Sequence, residues 1–302
     1  MKRKVSICIG LFQKQYGDKR ALEIAKEIGA DAVDFDLIDQ SKANSESVYS
    51  LGADKVREYY SSIKEYAKEI GIEIAQTHGR IKGFKNIKAE DDLLIEDGEL
   101  DCIATASLGA PHCVMHTVTT IHMGPNASDE LMHFLNYDMY ARILPFAKRE
   151  NVKIATETFG NAENYGCIDY FGDATQFIKG YEKVKNESGY GDWFCVCMDT
   201  GHTNKAMPFN NNPPAHEFIK MLGSSIQVLH LNDNDTKTDQ HKTPLTGSID
   251  WKAVMGALEE IGYNGYYNLE LNLRHFGVDF AIEEARFAIK VMRQMFKLYY
   301  NE

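Results

Sequence analysis

Six apolar, β-rich stretches of this chain end near an imidazole or a carboxylate: His78, His116, Glu157, Asp199, His230 and Glu270. Any one of them has a plain explanation, because a strand must surface somewhere. Six in succession, with ends that converge, supply a ligand set. Carboxylate oxygens and imidazole nitrogens are the donors that divalent cations take. A shared cation also lets several carboxylates occupy one partly buried pocket without mutual repulsion. The stretch "WFCVCMDTGH" (193–202) shows how such a residue is delivered. Alternate residues of a strand share a face, so Cys195, Cys197 and Asp199 point one way, and His202 follows three residues later. The Cys-x-Cys pair then lies beneath Asp199 and reads as small apolar core, not as a soft metal site.

The elements that must position these groups follow one pattern. The predicted strands are "VSICIG" (5–10), "AVDFDL" (32–37), "IEIAQTH" (72–78), "HCVMHTV" (112–118), "VKIATET" (152–158), "FCVCMDT" (194–200), "IQVLHLN" (226–232) and "YYNLELN" (266–272). Amphipathic helical patterns such as "KRALEIAKEIG" and "LNYDMYARILPFAKRE" lie between them. Strict alternation requires parallel strands joined by helical crossovers. Eight such units in 302 residues predict an α/β fold, a single (β/α)8 TIM barrel running as one domain over 1–302. No glycine-rich phosphate fingerprint follows any strand, which argues against a dinucleotide-binding sheet. Helix-to-strand links are short ("GAD", "GAP", "GSS"), whereas strand-to-helix links such as "DNDTKTDQHKTPLTGS" are long. Those long loops fall on the face where barrels build their sites.

Other residues take lesser roles. Asp36, closing the second strand, and Phe12, after the first, are candidates to line the pocket. The basic cluster "RIKGFKNIK" (80–88) reads as a solvated loop. His112 lies too deep along its strand to join the site, and His122, His133, His216 and His275 read as surface residues. Trp251 opens a helix capped by Ser248 or Asp250.

The totals set limits. With 33 basic and 44 acidic residues the formal charge is −11, which disfavours non-specific binding to nucleic acid or to anionic membranes. The six cysteines show no framework spacing and read as reduced thiols. The opening "MKRKVSICIGLF" has a short apolar run and no small-residue cleavage site, so it reads as a first strand and not as a signal peptide. The expectation is a cytoplasmic protein without a membrane span.

Here a resemblance adds detail. "ATETFGNAE", "CMDTGH", "HLNDND…DQHKTPLTGSIDW" and "YNLEL" resemble the xylose-isomerase-like barrel superfamily. Its members include sugar isomerases and epimerases of the D-tagatose 3-epimerase kind and, more distantly, endonuclease IV. The resemblance implies a metal-dependent sugar or sugar-phosphate isomerase/epimerase working by proton transfer through a metal-bound enediolate. The metal quartet would be Glu157, Asp199, His230 and Glu270, with manganese first and zinc, cobalt or magnesium as alternatives. Glu157 and Glu270 would double as the acid–base pair, and His202, Glu163, His78, His116 and His241 would contact the sugar. Endonuclease IV binds three zinc ions, with extra ligands from the third and fourth strands and an Asp-x-His pair, which makes Asp239 and His241 further candidate ligands here. A nuclease, or a lyase of the inosose dehydratase kind, are the alternatives. The flank "HKTPLTGSIDW" and the scarcity of basic residues in the loops favour the isomerase, with a small carbohydrate as partner and no nucleic acid. Self-association through aromatic-rich helices such as "VREYYSSIKEY" is a further expectation.

Overall fold

The computed structural model describes residues 3–300. All eight predicted strands form: β1 (Val5–Cys8), β2 (Ala32–Asp36), β3 (Glu73–His78), β4 (His112–Met115), β5 (Lys153–Glu157), β6 (Phe194–Asp199), β7 (Ile226–His230) and β8 (Tyr267–Leu269). They pair in parallel in the order β8-β1-β2-β3-β4-β5-β6-β7. Leu231, just past β7, bridges Leu269; its N–H donates to Asn268 O at 2.8 Å, and the Glu270 N–H donates to Leu231 O at 3.3 Å. The ring therefore nearly closes, as a TIM barrel with a helix packed outside after each strand.

Several boundaries differ from expectation, β7 among them, which ends at His230 and not at 232. β1 stops at Cys8 because a helix already begins at Gly10. β4 and β8 are also short, so His116 and Glu270 occupy the first loop positions beyond their strands. A two-stranded ribbon, Asn161–Ala162 with Cys167–Ile168, stands above the barrel mouth and was not predicted. Among the described residues no helix is long and apolar enough to cross a membrane.

The barrel interior is divided. On one side Val114, Ala155, Cys195, Cys197 and Val228 form a buried cluster of small apolar groups, so the Cys-x-Cys pair is core. On the other side β1, β2, β3 and β8 contribute Ser6, Asp34, Gln76 and Asn268, all buried and polar. All six cysteines are free thiols.

Several minor expectations need correction. Phe12 is fully buried in the main core and lines no open pocket. His133 is buried, not superficial: its Nε2 lies 2.9 Å from Gln176 Oε1 and its ring meets Tyr170 and Phe171 edge-on. Arg80 is not solvated either. Its Nε donates to Asp101 Oδ2 at 2.8 Å and its Nη2 to Leu37 O at 2.7 Å, beside Asp97. Trp251 does open a helix, with Asp250 as its cap, and its indole N–H donates to Asp233 at 2.8 Å.

Candidate active site

β5, β6 and β7 lift Glu157, Asp199 and His230 to one end of the barrel, and Glu270 joins them from just past β8. One ligand atom from each of these four residues lies within 4.8 Å of the others. Glu157 Oε2 and Glu270 Oε2 approach His230 Nδ1 at 3.4 and 3.3 Å. His78 Nε2 faces the same two glutamates at 3.5 and 3.4 Å, and His116 Nε2 lies 3.2 Å from Glu157.

The local sequence explains how two of the four are fixed. Asp199 caps the helix Thr200–Ala206, its Oδ1 accepting the His202 N–H at 2.6 Å. Its Oδ2 accepts from Asn232 Nδ2 at 2.8 Å. That contact needs Gly201, where a Cβ would fall 1.8 Å from Asn232 Oδ1. His230 is oriented by Asp34, whose Oδ2 lies 3.1 Å from Nε2. A carboxylate only accepts, so Nε2 carries a proton, and Nδ1, turned to the glutamates that favour a proton on this ring, is the nitrogen a cation would take in that proton's place. Such a carboxylate–imidazole pair is the usual support of a metal-bound histidine.

A second group lies toward the rim. His241 Nε2 and His202 Nε2 face Asp239 Oδ2 at 3.2 and 3.6 Å. Both rings turn Nδ1 to a backbone carbonyl, His202 to Thr158 and His241 to Glu270, each at 3.1 Å. Glu163 Oε1 accepts the Asp239 N–H at 2.9 Å. Phe159 packs between His116 and His202, with ring centroids 5.4 and 5.0 Å away. Glu157, Asp199, His230, Glu270, His78, His116, His202, Glu163, Asp239 and His241 therefore all lie in this one region, whereas Phe12 does not join them. Asp34, Asn232, Lys205 and Phe159 were not anticipated. Asp34 alone left a signal, as a carboxylate in mid-strand on the same face as Asp36.

The electrostatics are those of carboxylates balanced by imidazoles. Burial opposes a charge on Glu157, but His230 and His116 outweigh it and hold the carboxyl well below its usual range. Burial likewise lowers His78, yet Glu157 and Glu270 bring it up to about 9. Asp199 is pushed up to about 6, chiefly by burial and also by Glu157 and Glu270, against the pull of His202 and His241.

These residues fit a divalent cation. Glu157 Oε2, His230 Nδ1 and Glu270 Oε2 are buried and make no hydrogen bond, while Glu157 Oε1 turns to His202 Nδ1 at 3.1 Å. Buried polar atoms are nearly always satisfied, and three that face one another, two carboxylate oxygens and one imidazole nitrogen, offer a cation hard and borderline donors. His78–Glu157–His230 and His202–Asp239–His241 also bring ligand atoms within 4.8 Å.

Sequence comparison agrees with the fold. The profile of the xylose isomerase-like TIM barrel family matches residues 22–295, and the chain belongs to that family. Among solved structures it is similar to a D-tagatose 3-epimerase-like protein, with a TM-score of 0.73 and 16% identity over 99% of this chain and 98% of that one. It is also similar to 3-keto-D-glucoside 4-epimerase, YcjR, from E. coli (TM-score 0.70, 14% identity, 97% of this chain and 100% of that one). The IOLI protein with a bound zinc atom is a third (TM-score 0.71, 18% identity, 98% and 99%). At such identities the likeness is one of fold. In sequence, the uncharacterized protein y4fM of Sinorhizobium fredii is 27% identical over 168 residues, 55% of this chain and 48% of that protein. The uncharacterized protein MJ1311 of Methanocaldococcus jannaschii is 28% identical over 138 residues, 45% and 42%. The matched regions thus span less than half of either relative.

Proposed function

We propose that the protein is a sugar or sugar-phosphate isomerase/epimerase that uses one divalent ion, manganese before zinc, cobalt or magnesium. The observation that carries this reading is the convergence of Glu157, Asp199, His230 and Glu270 at the barrel end, with buried unpaired atoms on Glu157, His230 and Glu270. The epimerase names of solved structures with this fold support the substrate class. The free thiols agree with a cytoplasmic location.

A cation held by the quartet would supply positive charge to the sugar's carbonyl and neighbouring hydroxyl oxygens, stabilising the enediolate. The residues do the proton work. One of Glu157 and Glu270 takes the proton from the carbon beside the carbonyl as the enediolate forms. The other, carrying a proton, returns it to the opposite face and inverts the carbon. His202, His241, His78 and His116 hold sugar oxygens, and Glu163 orients the far end of the substrate.

The test is turnover in deuterated water. Product should gain deuterium at the reacting carbon, and Glu157→Gln and Glu270→Gln should each lower turnover by at least ~100-fold. Inactive variants whose wild type incorporates no deuterium would indicate a hydride shift instead. A second reading, a nuclease using several zinc ions, is favoured by the ligand-grade spacing of His202, Asp239 and His241 and of His78, Glu157 and His230. Incision of DNA at abasic sites, lost on changing His78 and His116, would establish it in place of the epimerase.

A further inference from the structure

The epimerase reading gives no role to Lys205, although a buried lysine needs a partner. Lys205 is 4% exposed, near the end of the helix that Asp199 caps. Its Nζ lies 3.0 Å from Glu163 Oε1 and 3.1 Å from Asp239 Oδ1. Asp239 is thereby shared. One oxygen meets the ammonium, while the other faces the Nε2 atoms of His202 and His241. Glu163 closes the unit by accepting the Asp239 N–H as well. A fixed positive charge thus sits on Asp239, the carboxylate that faces His202 and His241.

We propose that Lys205 keeps the His202–Asp239–His241 cluster free of a metal ion and so reserves its two imidazoles for substrate oxygens. The inference rests on the single-metal reading above. Two effects act together. The ammonium already matches the charge of Asp239, which reduces the attraction that carboxylate offers a second cation. It also repels any cation seated between the two Nε2 atoms, at a distance where partial burial leaves little screening. The side chain cannot swing into water to escape, because it is enclosed and tied at two points. Nor can it serve as a ligand without giving up its proton and both ion pairs. Lys205 is in this sense a positioning residue that acts through Asp239.

The experiment counts metal. Wild type, Lys205→Met, Lys205→Gln and Lys205→Arg are loaded with excess Mn2+ or Zn2+, desalted, and measured by elemental analysis and titration calorimetry, with circular dichroism to check folding. Glu163 and Asp239 are both partly exposed, so loss of the ammonium leaves neither carboxylate sealed away from water. We expect one ion per chain in wild type and in Lys205→Arg, which keeps the charge. We expect a second ion in the Met and Gln variants, bound at least ~10-fold more tightly than any second ion in wild type. Adding His241→Ala to Lys205→Met should remove it, which locates it at the rim. One ion in every folded variant would overturn the role of Lys205 while leaving the single-metal reading intact. Two or three ions in wild type would overturn both.

Discussion

Asp34 is the residue whose replacement separates a tuned metal site from a mere gathering of ligands. Its Oδ2 accepts three buried donors: Gln76 Nε2 at 2.9 Å, Asn268 Nδ2 at 3.0 Å and His230 Nε2 at 3.1 Å. Asp34→Asn keeps the shape and can still offer its amide oxygen to all three, but it removes the charge. A hydrogen bond to an ionised partner contributes ~1.5–3 kcal/mol against ~0.5–1.5 kcal/mol for a neutral pair. His230 therefore loses about 1.4 kcal/mol of polarisation, roughly a 10-fold weakening of metal affinity, within the range seen when supporting partners of metal-bound histidines are changed. Asp34→Leu goes further. It strands all three donors, so it should weaken the metal by ~100-fold and also destabilise the barrel by several kcal/mol. The assay is competition against a chelator of known affinity, with Co2+ absorption reporting ligand geometry and urea unfolding reporting stability. Wild-type affinity in Asp34→Asn would refute the argument. It would mean that His230 is aimed by its stacking on His78, at 5.1 Å between centroids, and not by Asp34.

Other consequences can be checked alongside. Gly201→Ala puts a Cβ where Asn232 Oδ1 now sits, so Asn232 must release Asp199; metal content should fall while the circular dichroism of the barrel is kept. Arg80→Met leaves Asp101 buried and unmatched, with Asp97 beside it, and should cost ~3–5 kcal/mol in urea unfolding, much less so when Asp101→Asn is added. His112 is pulled down to about 4 by burial, so below its unfolded value of ~6.5 the unfolded chain takes up a proton that the folded chain refuses. Its contribution, roughly 3 kcal/mol, is complete above pH ~6.5 and is lost as pH falls toward 4; His112→Gln should flatten that stretch of the stability–pH curve.

Much of this was readable in the sequence because parallel strands are covered on both faces. Such strands appear as apolar runs, against which a terminal His78, Asp199 or His230 stands out. Strand ends were less readable. His116 and Glu270 sit past β4 and β8, where the ladder stops pairing although the apolar run continues. The polar half of the barrel interior was missed for a different reason. Ser6, Asp34, Gln76 and Asn268 satisfy one another and His230 across the ring, and a pairing between residues 34 and 230 leaves no local mark. Lys205 was hidden likewise. In "DTGHTNKA" it looks like an exposed helix position, and only the ribbon turn bearing Glu163 and the loop bearing Asp239 bury it.

The hydrogen bonds also divide the quartet in a way that bears on roles. Asp199 has both oxygens engaged, one by the His202 N–H and one by Asn232, and His230 is engaged by Asp34. A carboxylate that accepts two hydrogen bonds is fixed in rotation with both oxygens engaged, which suits a ligand held in one place. Glu157 and Glu270 differ. Glu157 Oε2 and Glu270 Oε2 are buried without hydrogen bonds, and each turns that oxygen toward the centre of the quartet, while Glu157 Oε1 lies 3.1 Å from His202 Nδ1. They also come from β5 and from beyond β8, strands on different sides of the ring, and Glu270 keeps 16% of its side chain exposed where a substrate would enter. The two groups that the proposed chemistry needs as acid and base are thus the two that the protein leaves uncommitted. Changing Asn232 or Asp34 should therefore act through metal affinity, whereas Glu157→Gln and Glu270→Gln should depress turnover even at saturating metal.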